Sequence, residues 1–202
     1  MAETARIGLR DDGNIRDLAS GREATVEDLY RIKGKAEIVG GELVLMTAAG
    51  ELHGYAVVEI VASLREYSRR TKRGFALGDN VGFIVNLPNR RSFCPDAAFW
   101  TGGPLTRQFI EGAPIFAVEV RSEDDYGPAA ERAMAAKRAD YFVAGTLVVW
   151  DIDVMREGVV HVYRASDPTS PTVYRRDEFA DADPAVPGWS MPVADLFAPE
   201  RS

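Results

Sequence analysis

Three charged residues could together carry chemistry: Asp96, Glu119 and Lys137. Asp96 follows Pro95 at the start of a predicted strand, and Glu119 lies inside the apolar run 115–120. A buried carboxylate is costly unless it is paired, hydrogen-bonded or bound to a metal. Two carboxylates on neighbouring strands offer the hard oxygen ligands that Mg²⁺ prefers. A nearby lysine can position or deprotonate a water, or neutralise charge on a phosphoryl group, so the set indicates metal-assisted phosphoryl chemistry.

Each of these residues also has a simpler interpretation. An aspartate after a proline is typical of a turn, and an amphipathic lysine often sends its ammonium to solvent. The three side chains could also form a buried structural ion-pair network in a protein of unrelated purpose. Spacing alone does not separate that network from a catalytic site.

The elements that must position Glu119 and Lys137 are a strand, a helix and a second strand. The run 115–120 is typical of a strand buried on both faces, and 147–152 is a second such run. Between them, Gly127 and Pro128 fit the start of a helix that ends at Gly145. This order predicts a parallel strand pair joined by a helix of about four or five turns.

The predicted crossover helix carries Lys137 on its apolar side. Positions at intervals of three and four form one stripe, which consists of Ala130, Ala133, Met134, Lys137 and Tyr141. Because such intervals share a helix face, Lys137 is predicted to face the sheet.

The remaining elements are shorter or less regular. Thr25 is predicted to cap a helix that runs to about Ile32, and 36–39 with 42–46 form a hairpin around two glycines. The longest helix is expected over 53–72, followed by a strand pair whose second strand contains Asp96. Further expectations are a short helix at 105–111, a strand at 158–163, a turn at 167–171, an edge strand at 172–176 and a C-terminal strap over 186–197 that docks on the core.

The composition limits the class of protein. The chain has 202 residues, 46% of them hydrophobic, which suits one domain over 23–202 preceded by a flexible arm over 1–22. No apolar run approaches the roughly 20 residues of a membrane helix, so a soluble, cytoplasmic protein is expected. The net charge of −7 argues against a generic electrostatic nucleic-acid binder but allows a nuclease. The single cysteine, Cys94, is interpreted as a core residue.

The ordered set of motifs resembles the PD-(D/E)xK nuclease superfamily, and more closely its Uma-type restriction endonuclease family. The segments that carry the resemblance lie between residues 25 and 197: EIVGGELVLM at 37–46, His53, PD at 95–96, EVRS at 119–122, Lys137 with Tyr141 and Gly145, VVWDID at 148–153, and PGWSMPVADLF at 187–197. The resemblance implies an α/β fold with a restriction-endonuclease-like core, in which a central mixed β-sheet is flanked by helices.

The resemblance also implies roles for individual residues. Asp96 and Glu119 would hold Mg²⁺ or Mn²⁺ with the backbone carbonyl of Val120, and Lys137 would orient and activate the attacking water. The simplest family pattern has lysine two residues after the glutamate. This chain has Arg121 there, which cannot serve as a base but could stabilise phosphate charge.

The resemblance to the family also suggests two accessory site residues, and one loop of this chain differs from the family pattern. Glu37 matches an early glutamate of the family, either a third acidic ligand or a charge at the hairpin edge. His53 matches a histidine at the start of the long helix, with a phosphate-contacting or a structural role. The loop SEDDYGP at 122–128 departs from the Ser-Pro-Ser of relatives and could alter substrate contacts.

The resulting hypothesis is a divalent-metal-dependent endonuclease that hydrolyses DNA. A homodimer is expected from this function, because symmetric copies can cut both strands. The alternative is a catalytically inactive protein with a nuclease fold that binds DNA or a protein partner.

Overall fold

The structure is a computed structural model, which describes residues 8–9, 14–16 and 22–199. Its helices are α1 Val26–Arg31, α2 Glu51–Thr71 and α3 Pro128–Val143, with a 3₁₀ helix at Val193–Leu196. The predicted flexible arm over 1–22 falls largely outside the described residues. That arm and the domain limits of 23–202 therefore stay predictions.

The strands are numbered β1 to β15 in chain order. They are β1 Gly8–Leu9, β2 Asn14–Arg16, β3 Ala36–Val39, β4 Glu42–Leu45, β5 Phe75–Leu77, β6 Phe83–Ile84, β7 Ser92–Phe93, β8 Ala97–Trp100, β9 Ile110–Glu111, β10 Phe116–Val120, β11 Val148–Asp153, β12 Val159–Arg164, β13 Asp167–Tyr174, β14 Phe179–Asp181 and β15 Ser190–Pro192.

A six-stranded mixed sheet forms the centre, in the order β13-β12-β11-β10-β8-β5. β10 and β11 are parallel and joined by α3, whereas the other neighbours pair antiparallel. The predicted strand-helix-strand unit and the mixed sheet flanked by helices are therefore confirmed. β3 and β4 form the predicted hairpin at one edge of a second sheet, in which the order is β1-β2-β4-β3.

The two faces of the central sheet differ in chemistry. On one face, Val118 and Trp150 pack with Leu64 of α2 in a fully apolar cluster. Trp189 of the C-terminal segment stacks on Trp150 at 5.1 Å between ring centroids, which confirms the predicted strap. On the other face, α3 buries Tyr141, which stacks on Phe93. Beside this second apolar cluster, a cavity between α3 and the sheet is lined by charged side chains, among them Glu119, Lys137 and Asp151.

Local sequence explains where the helices begin and end. Thr25 caps α1 through a complete capping box with Asp28, because each residue's side chain accepts the other's backbone N–H. α3 starts with Pro128 at its first position and is followed by Gly145, whose φ of 106° requires a glycine. α2 begins two residues before its predicted start.

Three expectations were wrong. The single strand pair expected after α2 is four short strands, and Asp96 lies one residue before β8. Residues 105–109 are not helical and β9 follows them. Phe109 stacks on Tyr30 and donates its N–H to the tyrosine hydroxyl, contacts that outweigh a helix too short to be stable alone. The turn expected at 167–171 belongs to β13, an edge strand that can accommodate its prolines.

Candidate functional site

Asp96 and Glu119 lie opposite each other at the ends of two paired strands. Ala97 of β8 pairs with Val118 of β10, and the Asp96 N–H donates to the Val118 carbonyl at 3.0 Å. The Oδ2 atom of Asp96 accepts the Val120 N–H at 2.8 Å. Both carboxylates line a cavity of about 1120 Å³ on the α3 side of the sheet.

Lys137 reaches this carboxylate pair from α3. Its Nζ lies 2.8 Å from Glu119 Oε2 and 2.9 Å from Glu37 Oε1. Burial disfavours the ammonium, but the negative charges of Glu119 and Glu37 outweigh it and raise the pKa of Lys137. The prediction that Lys137 faces the sheet is confirmed, and its side chain is charged in this arrangement.

Glu37 is buried and fully engaged. Its Oε1 also accepts the Cys94 N–H at 2.8 Å, and its Oε2 pairs with the Arg90 guanidinium. Arg90 in turn donates to Asp140 of α3 at 2.8 Å. Burial opposes ionisation, but Lys137 and Arg90 lower the pKa of Glu37. Glu37 therefore holds Lys137 in place, and its expected role as a third acidic ligand stays a prediction.

Asp96 has two cationic neighbours on its other side. Its Oδ1 lies 2.5 Å from Lys35 Nζ and 3.4 Å from His53 Nε2. Burial opposes ionisation, but the His53 hydrogen bond and the Lys35 charge hold the pKa of Asp96 well below its usual range. Burial likewise disfavours charged His53, but its hydrogen bond to Asp96 raises the pKa of the imidazole. His53 Nδ1 is buried and has no hydrogen-bond partner among the described residues.

Glu119 has the opposite electrostatic character. Desolvation, together with the nearby charges of Asp96 and Glu37, raises the pKa of Glu119 to about 6 despite the Lys137 ammonium. Its Oε1 accepts a hydrogen bond from the Tyr141 hydroxyl at 2.7 Å. Burial is thus the main factor that disfavours the ionised form of Glu119, and a bound cation would favour that form.

Arg121 lies beside the site in a second charged cluster. Its guanidinium makes a bidentate pair with Asp151, at 2.7 Å and 3.0 Å, and another with Glu131, at 2.5 Å and 3.2 Å. Arg138 adds a 2.9 Å bond to Asp151. The Glu131 side chain is 47% exposed, against 3% for Asp151, so Glu131 is the exchangeable partner of Arg121.

Two carboxylates of the cavity are candidate ligands for a hard divalent ion. Asp96 and Glu119 offer carboxylate oxygens, and Val120 lines the same cavity. Within the described part of the chain, no group of three or more His, Cys, Asp or Glu side chains could hold a metal. The fit therefore rests on two carboxylates, which suits Mg²⁺ because that ion keeps several of its waters.

Sequence reasoning missed two groups of this site. Lys35 lies in an irregular turn before β3, and its partners Asp79 and Asp96 are remote in the chain, so no local pattern marks it. Tyr141 lies four residues after Lys137 on the same helix face, and that spacing was the signal that the two side chains would share one site.

The single cysteine, Cys94, is buried, and burial raises the pKa of its thiol to about 12. Both observations agree with the predicted core role.

The fold places the protein in the α/β class with a restriction-endonuclease-like core. A solved structure described as a putative nuclease belonging to DUF820, from Anabaena variabilis, is similar to this chain with a TM-score of 0.69 and 18% identity. The match covers 86% of this chain and 97% of that one. The Uma2 family, described as "Putative restriction endonuclease", matches residues 25–194. The chain therefore belongs to the Uma2 family, as the sequence motifs predicted.

Two further findings concern the relatives of this chain and its predicted location. No curated protein matches this chain. No helix within the described residues has the length and apolar character needed to cross a membrane. The cytoplasmic location and the homodimer stay predictions.

Proposed function

We propose that this protein is a divalent-metal-dependent endonuclease that hydrolyses phosphodiester bonds in DNA. The observation that carries the proposal is the convergence of Asp96, Glu119 and Lys137 in one cavity, in a chain of a restriction-endonuclease family. Asp96, Glu119 and the Val120 carbonyl would hold Mg²⁺ or Mn²⁺, and the ion would supply Lewis-acid chemistry at the phosphate and lower the pKa of water.

In this proposal the protein groups divide the work. Glu119 is fixed by Tyr141, and Asp96 is fixed by the Val120 N–H, so both carboxylates are preorganised. Lys137 orients the attacking water as a hydrogen-bond donor and stabilises negative charge. Proton removal by Lys137 is opposed by Glu37 and Glu119 as long as both stay ionised beside it.

Arg121 is assigned to stabilise charge on the phosphate. Its bidentate pair with buried Asp151 holds the guanidinium at the cavity wall, while the exposed Glu131 can yield to a phosphate oxygen. A guanidinium binds a phosphate in the same bidentate geometry as a carboxylate, which supports this exchange.

The test is cleavage of supercoiled and linear DNA with Mg²⁺, Mn²⁺ or a chelator. The wild-type protein should cleave only with the metal, and Glu119→Gln should abolish cleavage. The exposed Asp177→Asn serves as the matched control and should cleave like wild type. Metal-dependent cleavage that survives Glu119→Gln would overturn the assignment of Glu119.

A second candidate function is a nuclease-fold protein that binds DNA or a protein partner without cleaving. The observation that favours this candidate is that Lys35 and Lys137 form ion pairs with Asp96 and Glu119, so the two predicted metal ligands are already neutralised. DNA binding that is indifferent to Mg²⁺, with no cleavage of any substrate, would support this candidate.

The proposed homodimer follows from two-strand cleavage by a single domain. Sedimentation of the protein with and without duplex DNA tests it. A protein that stays monomeric on DNA and nicks a single strand would contradict the dimer and leave the hydrolytic assignment intact.

A further inference from the structure

Lys35 is a cationic group of the site that the family motifs did not identify. Its Nζ lies 2.5 Å from Asp96 Oδ1 and 2.7 Å from Asp79 Oδ1, and its side chain is only 16% exposed. Its backbone carbonyl accepts the Met46 N–H at 3.0 Å, which anchors the residue to the β3-β4 hairpin. Lys35, Asp79 and Asp96 all line the same cavity as Glu119.

The two oxygens of Asp96 are used differently. Oδ2 is held by the Val120 backbone, whereas Oδ1 receives Lys35 and His53. A cation bound through Oδ1 competes directly with the Lys35 ammonium. Lys35 therefore competes with a metal ion for Asp96 Oδ1, the carboxylate oxygen that is not held by the backbone.

Asp79 supplies a second partner for Lys35. Its side chain is 51% exposed, against 6% for Asp96, so the ammonium stays tethered at the cavity rim when Asp96 is taken. A lysine ammonium has three donors, and one carboxylate bond leaves the others for an anion. An ammonium beside the carboxylates that hold a metal is placed to contact a phosphate oxygen.

We propose that Lys35 contacts a non-bridging phosphate oxygen of the nucleic-acid backbone from the Asp96 side of the site, opposite Lys137. This inference rests on the proposed function, because it assigns a substrate contact in that site. Lys35 and Lys137 thereby approach the carboxylate pair from two separate elements, the hairpin and α3.

The experiment compares Lys35→Met with Lys33→Met, an exposed lysine two residues away. Calorimetric titration with Mn²⁺ in the absence of DNA should show several-fold tighter binding to Lys35→Met, because the competing ammonium is gone. Binding of a fluorescent duplex with Ca²⁺ in place of Mg²⁺ should weaken about tenfold, the loss expected for one charge-assisted bond. Lys33→Met should match wild type in both measurements.

The opposite signs of these two effects separate a substrate contact from a structural role. A misfolded variant would lose both affinities, so Lys35→Arg, which keeps the charge, is measured beside it and should retain DNA affinity. If wild type binds metal and DNA while Lys35→Met behaves like Lys33→Met, only the Lys35 assignment is overturned. If wild type binds neither ligand, the proposed function fails, and the Lys35 assignment fails with it.

Discussion

Two charged clusters lie side by side on the α3 face of the central sheet. In the first, Glu119 and Asp96 are matched by the lysines Lys137 and Lys35. In the second, Asp151 is clamped by the guanidinium groups of Arg121 and Arg138. Glu119 and Asp151 are direct neighbours across the parallel β10-β11 pair, so the two clusters share one environment and differ in their cations.

The cations give the clusters different properties. Arginine binds a carboxylate bidentately through a rigid fork, whereas lysine is a compact point charge on a flexible stem. The Asp151 carboxylate is therefore held rigidly, and we interpret it as structural, whereas Arg121 keeps the exposed Glu131 as an exchangeable partner. The lysine-paired cluster leaves Glu119 with a raised pKa and with a partner that a divalent ion can displace. The comparison indicates that a buried charged residue is not by itself evidence of a functional site. A better indication is a buried carboxylate whose cationic partner can be displaced by a ligand.

Replacing Lys137 should give the largest effect. Lys137→Met is expected to reduce cleavage about 10²–10³-fold, the loss typical of one preorganised group that stabilises transition-state charge. Arg132→Met, on the exposed side of α3, should leave the rate unchanged. Single-turnover cleavage measures both. A Lys137→Met rate within a few-fold of wild type would place the chemistry elsewhere in the cavity.

Removing the Asp151 carboxylate should lower the stability of the folded protein. Asp151→Ala leaves Arg138 without its carboxylate partner and removes one of two partners from Arg121, so the free energy of unfolding should fall by about 3 kcal/mol. Urea unfolding checks this against Asp177→Ala, which alters an exposed carboxylate. An Asp151→Ala protein as stable as the control would contradict the structural interpretation of this cluster.

A divalent ion should stabilise the protein through the lysine-paired cluster. At a Mn²⁺ concentration 100 times the dissociation constant, the expected gain is about 2.7 kcal/mol, because the ion binds the folded state. Thermal unfolding with Mn²⁺ or chelator should show this shift in wild type and lose it in Glu119→Gln. An equal shift in both proteins would place the ion outside the predicted ligands.

The smallest effect concerns the exchangeable partner of Arg121. Glu131→Gln removes a half-exposed ion pair and should change stability by about 0–1 kcal/mol. It should also tighten DNA binding a few-fold, because Arg121 then faces phosphate with less competition. Fluorescence anisotropy against Glu157→Gln, an exposed control, measures the change. Weaker DNA binding would show that Arg121 needs Glu131 for its position.

Much of the fold could be read from local pattern. The apolar runs around Glu119 and Asp151, the Gly127-Pro128 start and the Gly145 end predicted the β10-α3-β11 unit. The helix predicted at 105–111 failed because the Tyr30–Phe109 stack decides that segment and joins residues far apart in the chain. The prolines of β13 suggested a turn, since their tolerance at a sheet edge depends on the strand order.

The sequence by itself determined the residue types of the site, the order of the elements that carry them and the side of α3 that meets the sheet. Helical and strand periodicity fixes which side chains share a face, so Lys137 and Glu119 could be brought together from one segment. Only the tertiary structure decided the partners. The ion pairs Lys35–Asp96, Lys137–Glu37 and Arg121–Asp151 join residues of different elements. They form because long-range strand pairing brings those elements together.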